Sequence, residues 1–278
     1  LARNSLYNSD QVRRICQQAW LRAQHRLMRG SRQLARVLQT RMDRVIAIWA
    51  ILTMIVAAFK VFTAPSGVGS LLVGLSMSLP FLALAAAPVL GYRIAARAFA
   101  RGRAADQPSM RLALYGKWRG AKSDEVRRAT IAGPAGFLVS LIVGLLLNVP
   151  VRSLEYLAVV PAINPADPRW AHVLVAAMTC DVVLMNFVYM VCFVMALRGF
   201  PLFPRILAAA WALDIALQLG IAQVIARTDF PPMLIDSLVG FLDGNIKKVL
   251  ISAFLWVPYL ILSDQVNLVF RHRVRLAA

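Results

Sequence analysis

The chain has 278 residues, of which 59% are hydrophobic and only 16% charged, and its mean hydropathy is +0.64. An ordinary soluble domain carries about 25% charged residues, so this composition points to a membrane protein. The net charge of +18 would suggest nucleic acid in a soluble protein, but the basic residues are concentrated in segments between apolar runs and no recognition motif accompanies them, so no nucleic acid is expected as a partner.

Residues 1–44 hold ten Arg and two Asp. Val12, Ile15, Cys16, Ala19, Trp20, Ala23 and Leu27 recur at helical spacing, with arginines on the remaining surface. The pattern predicts a basic amphipathic helix in which Arg13, Arg14, Arg22, Arg26 and Arg29 contact anionic lipid headgroups. Because these residues are polar and basic, no signal peptide is expected within them.

Residues 45–91 read as a transmembrane hairpin, with spans near 45–63 and 70–91 joined by a turn at Pro65, Gly67 and Gly69. Pro80 and Pro88 should bend the second span. Ala83, Ala87 and Gly91 repeat every four residues on it, a spacing that lets helices approach closely. Residues 92–129 hold ten Lys and Arg against three acids and read as a cytoplasmic loop, with a helix start near Ser123 and Glu125.

Residues 130–275 read as a four-helix unit. Its spans are expected near 131–149, 171–197, 205–226 and 247–263. A separate exterior interfacial segment is expected near 231–242, after Pro231 and Pro232, and "FLDGN" at 241–245 reads as a turn. The fold class is therefore an all-α polytopic bundle of six transmembrane helices. With six spans the termini share one side, and 25 of the 31 Lys and Arg fall on it. The remaining six, Arg152 among them, fall on the other. The positive-inside rule then puts both termini in the cytoplasm.

Within the spans, Asp181, Asn186, Asp214 and Gln218 form a candidate intramembrane polar network. Asn186 lies 12 residues from Arg198, and Asp214 and Gln218 lie 9 and 13 from Arg205. Antiparallel packing through the short 198–205 turn would put these three at similar depths, with Asp181 about a turn or more further from the basic side. Three accounts of such a network stand open: a satisfied cluster that fixes helix register, a proton or ion path, and contact with a polar residue of a partner protein.

Enzyme motifs are lacking: the sequence has no HExxH, GxSxG, phosphate-binding loop or dinucleotide fingerprint. His25, His172 and His272 are dispersed, so neither a metal site nor a cofactor is expected.

The ending "FLWVPYLILSDQVNLVFRHRV" carries Trp256, Pro258, Tyr259, Ser263, Val266 and Phe270 in a W-x-P-Y-x-x-x-S-x-x-V-x-x-x-F pattern. This resembles the ending of the DUF2569 family, over about residues 130–275. Family members often have a basic residue shortly before the Val, where this chain reads Ser263-Asp264-Gln265. The resemblance implies a small bacterial integral membrane protein of several helices and implies no biochemical activity. Together with the charge asymmetry it leads to the bacterial inner membrane. Pro258 is also expected on physical grounds to kink the last span. The leading functional expectation is an accessory or scaffold protein acting through protein and anionic-lipid contacts. A small transporter or ion-conducting protein using the intramembrane carboxylates is the alternative, and an integral membrane enzyme comes third.

Overall fold

In the computed structural model the described residues are 33, 37, 38, 40–64, 67, 69–102, 105–109, 116–126 and 136–276. Arg13, Arg14, Arg22, Arg26 and Arg29 lie outside them. Six helices among the described residues are long and apolar enough to cross a membrane: α1 (Thr40–Phe62), α2 (Leu71–Ala98), α3 (Phe137–Val159), α4 (Arg169–Arg198), α5 (Phe203–Ala226) and α6 (Pro232–Leu262). The protein is an all-α, multi-pass membrane bundle. A short helix, α7 (Asp264–Arg271), and a two-stranded antiparallel ribbon, β1 (Trp118–Gly120) with β2 (Arg273–Arg275), lie at one end of it.

Helix α4 is the axis. It packs against α2, α3 and α5, and 67% of its most apolar stretch is buried. Helix α6 is peripheral, with 17% buried, and packs on α5. Helices α3 and α6 do not pack along their lengths, although each borders the interior. The outward faces carry Ile51, Phe59, Leu71, Leu72, Ile251 and Phe254, large apolar side chains whose exposure is natural in lipid. The small-residue face of α2 lies inward, with Ala87, Gly91 and Ala95 buried. A Cβ added at Gly91 would stand 2.8 Å from the Phe187 carbonyl oxygen of α4, so glycine is what permits that approach.

Four spans differ from their expected limits: α1 begins at Thr40, before the expected 45, and α2 continues to Ala98, taking residues 92–98 out of the segment expected as a loop, while the larger departures are in α3 and α6. Helix α3 does not stop near 149 but runs through Pro150 to Val159. Proline removes one backbone hydrogen bond, and a membrane helix packed on its neighbours tolerates the loss. Arg152 therefore lies inside a spanning helix and not in a loop. Likewise, the segment expected as a separate interfacial helix at 231–242 is the first third of α6. Pro232 occupies the first helical position, where its missing N–H costs nothing. The 241–245 stretch continues as helix, supported by an Asp243–Lys247 ion pair at i,i+4 of 2.6 Å. At 31 residues α6 is about 46 Å long, more than the roughly 30 Å of a hydrocarbon core, so it must tilt or project.

The ending folds back on the bundle. Pro258 lies within α6, one turn before its end, and the Trp256 and Tyr259 rings meet edge to face at 5.7 Å. Ser263 caps α7, its Oγ accepting from the Val266 N–H at 3.4 Å. Val266 and Phe270 are fully buried, the latter with its ring 5.0 Å from that of Phe203. Buried Asn267 clamps the end: its Nδ2 donates to the Ile261 and Ser263 carbonyls, and its Oδ1 accepts from Arg271 Nη1 at 2.9 Å and Arg273 Nε at 2.8 Å. Burial, with Arg273 and Arg205 nearby, pushes the Arg271 guanidinium down to about 10. The Arg273 guanidinium lies 4.7 Å over the Trp118 ring, and β2 pairs with β1, so the 116–126 segment and the tail meet at the same end.

Candidate intramembrane polar site

Four helices bring polar groups to one region of the bundle. Arg152 of α3 is the centre. Its Nη1 donates to both carboxylate oxygens of Asp214 on α5, at 3.0 and 2.8 Å, and its Nη2 donates to Asp181 Oδ2 on α4 at 2.8 Å. Each acid has one further donor. Tyr189 of α4 donates its hydroxyl to Asp214 Oδ2 at 2.7 Å, and Gln218 Nε2 of α5 donates to Asp181 Oδ1 at 3.0 Å. Asn245 of α6 reaches Gln218 Oε1 at 3.5 Å. Asp214 and Gln218 are fully buried, and the Arg152 side chain is 11% exposed.

This arrangement brings together Asp181, Asp214 and Gln218 and leaves Asn186 outside. Asn186 Nδ2 donates instead to Ser153 Oγ of α3 at 2.8 Å. The cause is helical phase: five residues along α4 rotate a side chain about 140° away, so Asn186 faces α3 while Asp181 faces the Arg152 cluster. Ser153 in turn donates to the Val149 carbonyl, behind Pro150. A second polar pair, the Tyr156 and Thr179 hydroxyls at 2.6 Å, also joins α3 to α4.

Sequence reasoning missed Arg152, Tyr189, Asn245, Glu155 and Lys248. Glu155 on α3 and Lys248 on α6 form an ion pair across the space between those two helices, and Lys248 reaches Asn245 Oδ1 at 3.5 Å. The signal for Arg152 was present in the return of apolar residues after it, at Leu154, Tyr156 and Leu157, which a loop would not need.

Two cavities flank the ion triad. The smaller, about 30 Å³, is lined by Asp181, Gln218, Tyr156, Leu174 and Phe241 among others. That volume suits one or two waters. The larger, about 300 Å³, is lined by Asp214, Tyr189, Trp211, Lys248 and Trp256 among others. Arg152, Glu155 and Asn245 line both. One carboxylate thus borders each cavity, and the guanidinium that holds both lies between.

With every group ionised, the triad carries one negative charge more than it balances. The Lys248–Glu155 pair adds none. A net charge in a bilayer interior is costly, so a proton or a bound cation is the natural complement. Among the described residues no three His, Cys, Asp or Glu are grouped to hold a metal ion.

No family model matches the chain, and no curated protein or solved structure matches it either.

Proposed function

We propose that this protein is a small transporter or ion-conducting membrane protein in which Asp181 and Asp214 pass a proton or cation between the two cavities, with Arg152 as the fixed charge between them. One observation carries the reading: each carboxylate lines a different cavity, while Arg152 binds both and lines both. Neutralising one acid weakens its hold on the guanidinium and strengthens the claim of the other. The three side chains then form a two-position element that loading from either side biases. The DUF2569-like ending and the excess of basic residues on one side support a setting in the bacterial inner membrane with both termini cytoplasmic.

Proteoliposomes enclosing a pH-sensitive dye test this. Under an imposed gradient the wild-type protein should dissipate the difference, and Asp214→Asn and Asp181→Asn should each abolish that flux. Equal flux in all three preparations would remove the carboxylates from the mechanism.

A second reading, an accessory or scaffold protein acting through protein and anionic-lipid contacts, is favoured by the basic end, where Arg119, Arg273 and Arg275 sit on one ribbon beside Lys117 and Lys122. Mild-detergent extraction should then recover a stoichiometric partner. Loss of residues 1–40 should weaken binding to anionic liposomes.

A further inference from the structure

The larger cavity has its walls on α3, over Leu141–Glu155, and on α6, over Asn245–Trp256, with Tyr189, Trp211 and Asp214 behind them. Among the described residues no loop residue lines it. Because α3 and α6 do not pack along their lengths, the space between them faces sideways, toward the hydrocarbon. The Lys248–Glu155 ion pair lies in its wall, toward one end, and Leu141 and Trp256 line it toward the other. Leu147 and Val151, about half exposed, form part of the α3 lip. A ligand using this mouth approaches from lipid and needs an apolar body.

We propose that this cavity binds a monovalent organic cation, an ammonium with a compact aryl or alkyl body, drawn from the lipid phase. The proposal rests on the charge count used for the transport reading, and on three further features. The two cations in the wall are already engaged, Arg152 by two carboxylates and Lys248 by Glu155, so no positive group awaits an anion. The surplus is one negative charge, which one ammonium neutralises. Trp211, Trp256 and Tyr189 line the same space, and aromatic faces attract such cations most strongly where water is excluded. The volume stands at the low end for small-ligand sites and so suits a body of roughly one aromatic ring.

The test uses the whole protein in nanodiscs of zwitterionic lipid, with tritiated benzyltrimethylammonium as probe and empty nanodiscs subtracted. Two variants probe the cavity without touching the triad. Gly144 lines it, and a Cβ there meets nothing within 4 Å, so Gly144→Phe fills the space while removing no polar group. Glu155→Gln removes a negative charge from the partly exposed rim and leaves the Lys248 ammonium uncompensated there, so the charge summed over triad and rim falls to zero and a cation is repelled. Wild-type protein should bind the probe saturably, and each variant at least tenfold more weakly with an unchanged unfolding midpoint. Benzenesulfonate and neutral neopentylbenzene should not compete. Absence of saturable binding, wild-type binding by Gly144→Phe, or equal competition by the sulfonate overturns the proposal. Dye-reported flux without probe binding overturns this inference alone, whereas probe binding without any flux upholds it and overturns the transport reading.

Discussion

Arg152 binds Asp214 through a single nitrogen, Nη1, which donates to both carboxylate oxygens at 3.0 and 2.8 Å. A guanidinium facing one acid ordinarily uses two nitrogens in a parallel fork. Here the second nitrogen is turned to Asp181, so one cation is divided between two acids on two helices. Removing the cation should be far worse than removing the whole cluster, because two buried carboxylates would then face each other with only the neutral donors Tyr189 and Gln218 and no countercharge. Breaking a buried pair typically costs about 3–5 kcal/mol, whereas replacing all its members by neutral groups is often tolerated. Arg152→Leu should therefore unfold at a clearly lower temperature than wild type in detergent. Arg152→Leu combined with Asp181→Asn and Asp214→Asn should recover most of the difference. A triple variant no more stable than the single would mean that the charges are not the source of the loss.

The sequence disclosed this cluster by halves. Asp181 and Asp214 were conspicuous because a carboxylate in an apolar run has no cheap explanation in lipid. Their cation was hidden by the same logic. Arg152 follows Pro150, and a basic residue after a proline reads as a loop beyond a span end. Only the packing of α3 on α4 decides otherwise. The limits of α4 and α5 were legible to within two residues, since Arg198, Gly199 and Pro204 punctuate them sharply. Those of α6 were not. Pro231, Pro232 and the Asp-Gly pair at 243–244 resemble turn signals, but proline at a helix start is favourable and the Asp243–Lys247 pair carries the helix across. The direction of Asn186 depends on where its neighbours lie, which no periodicity within α4 contains.

At the basic end, Glu125 accepts from both terminal nitrogens of Arg119, at 2.9 and 2.7 Å, and from the Lys122 backbone N–H at 2.8 Å. The Arg119 guanidinium, followed by that backbone bond, holds the carboxyl down to about 2. A depressed folded value means that the folded form prefers the ionised acid. Its contribution is fully present above the usual carboxylate range and fades as pH falls from there through about 2. Segment 116–126 should thus keep its resistance to an acid-tolerant protease at pH 5 and lose it progressively below pH 4. The Glu125 side-chain carbon signal in NMR should titrate near 2 in wild type and return toward the ordinary range in Arg119→Gln. An unchanged midpoint in that variant would show that Arg119 does not set it.

Two helix glycines should respond to the same substitution with opposite signs. At Gly91 a new methyl group would stand 2.8 Å from the Phe187 carbonyl oxygen and 3.2 Å from Met190 Cβ. Both belong to the backbone or stem of α4 and cannot swing away, so α2 must shift outward along its most extensive packing surface. Overpacking of this kind costs about 1–3 kcal/mol, more than the roughly 1 kcal/mol that alanine gains over glycine in a helix. At Gly144 the methyl group meets nothing within 4 Å, and only the propensity gain remains. Gly91→Ala should accordingly lower the unfolding midpoint in detergent, and Gly144→Ala should leave it unchanged or raise it. If Gly91→Ala matched or exceeded wild type, the close approach of α2 to α4 would not be what glycine is needed for at that position.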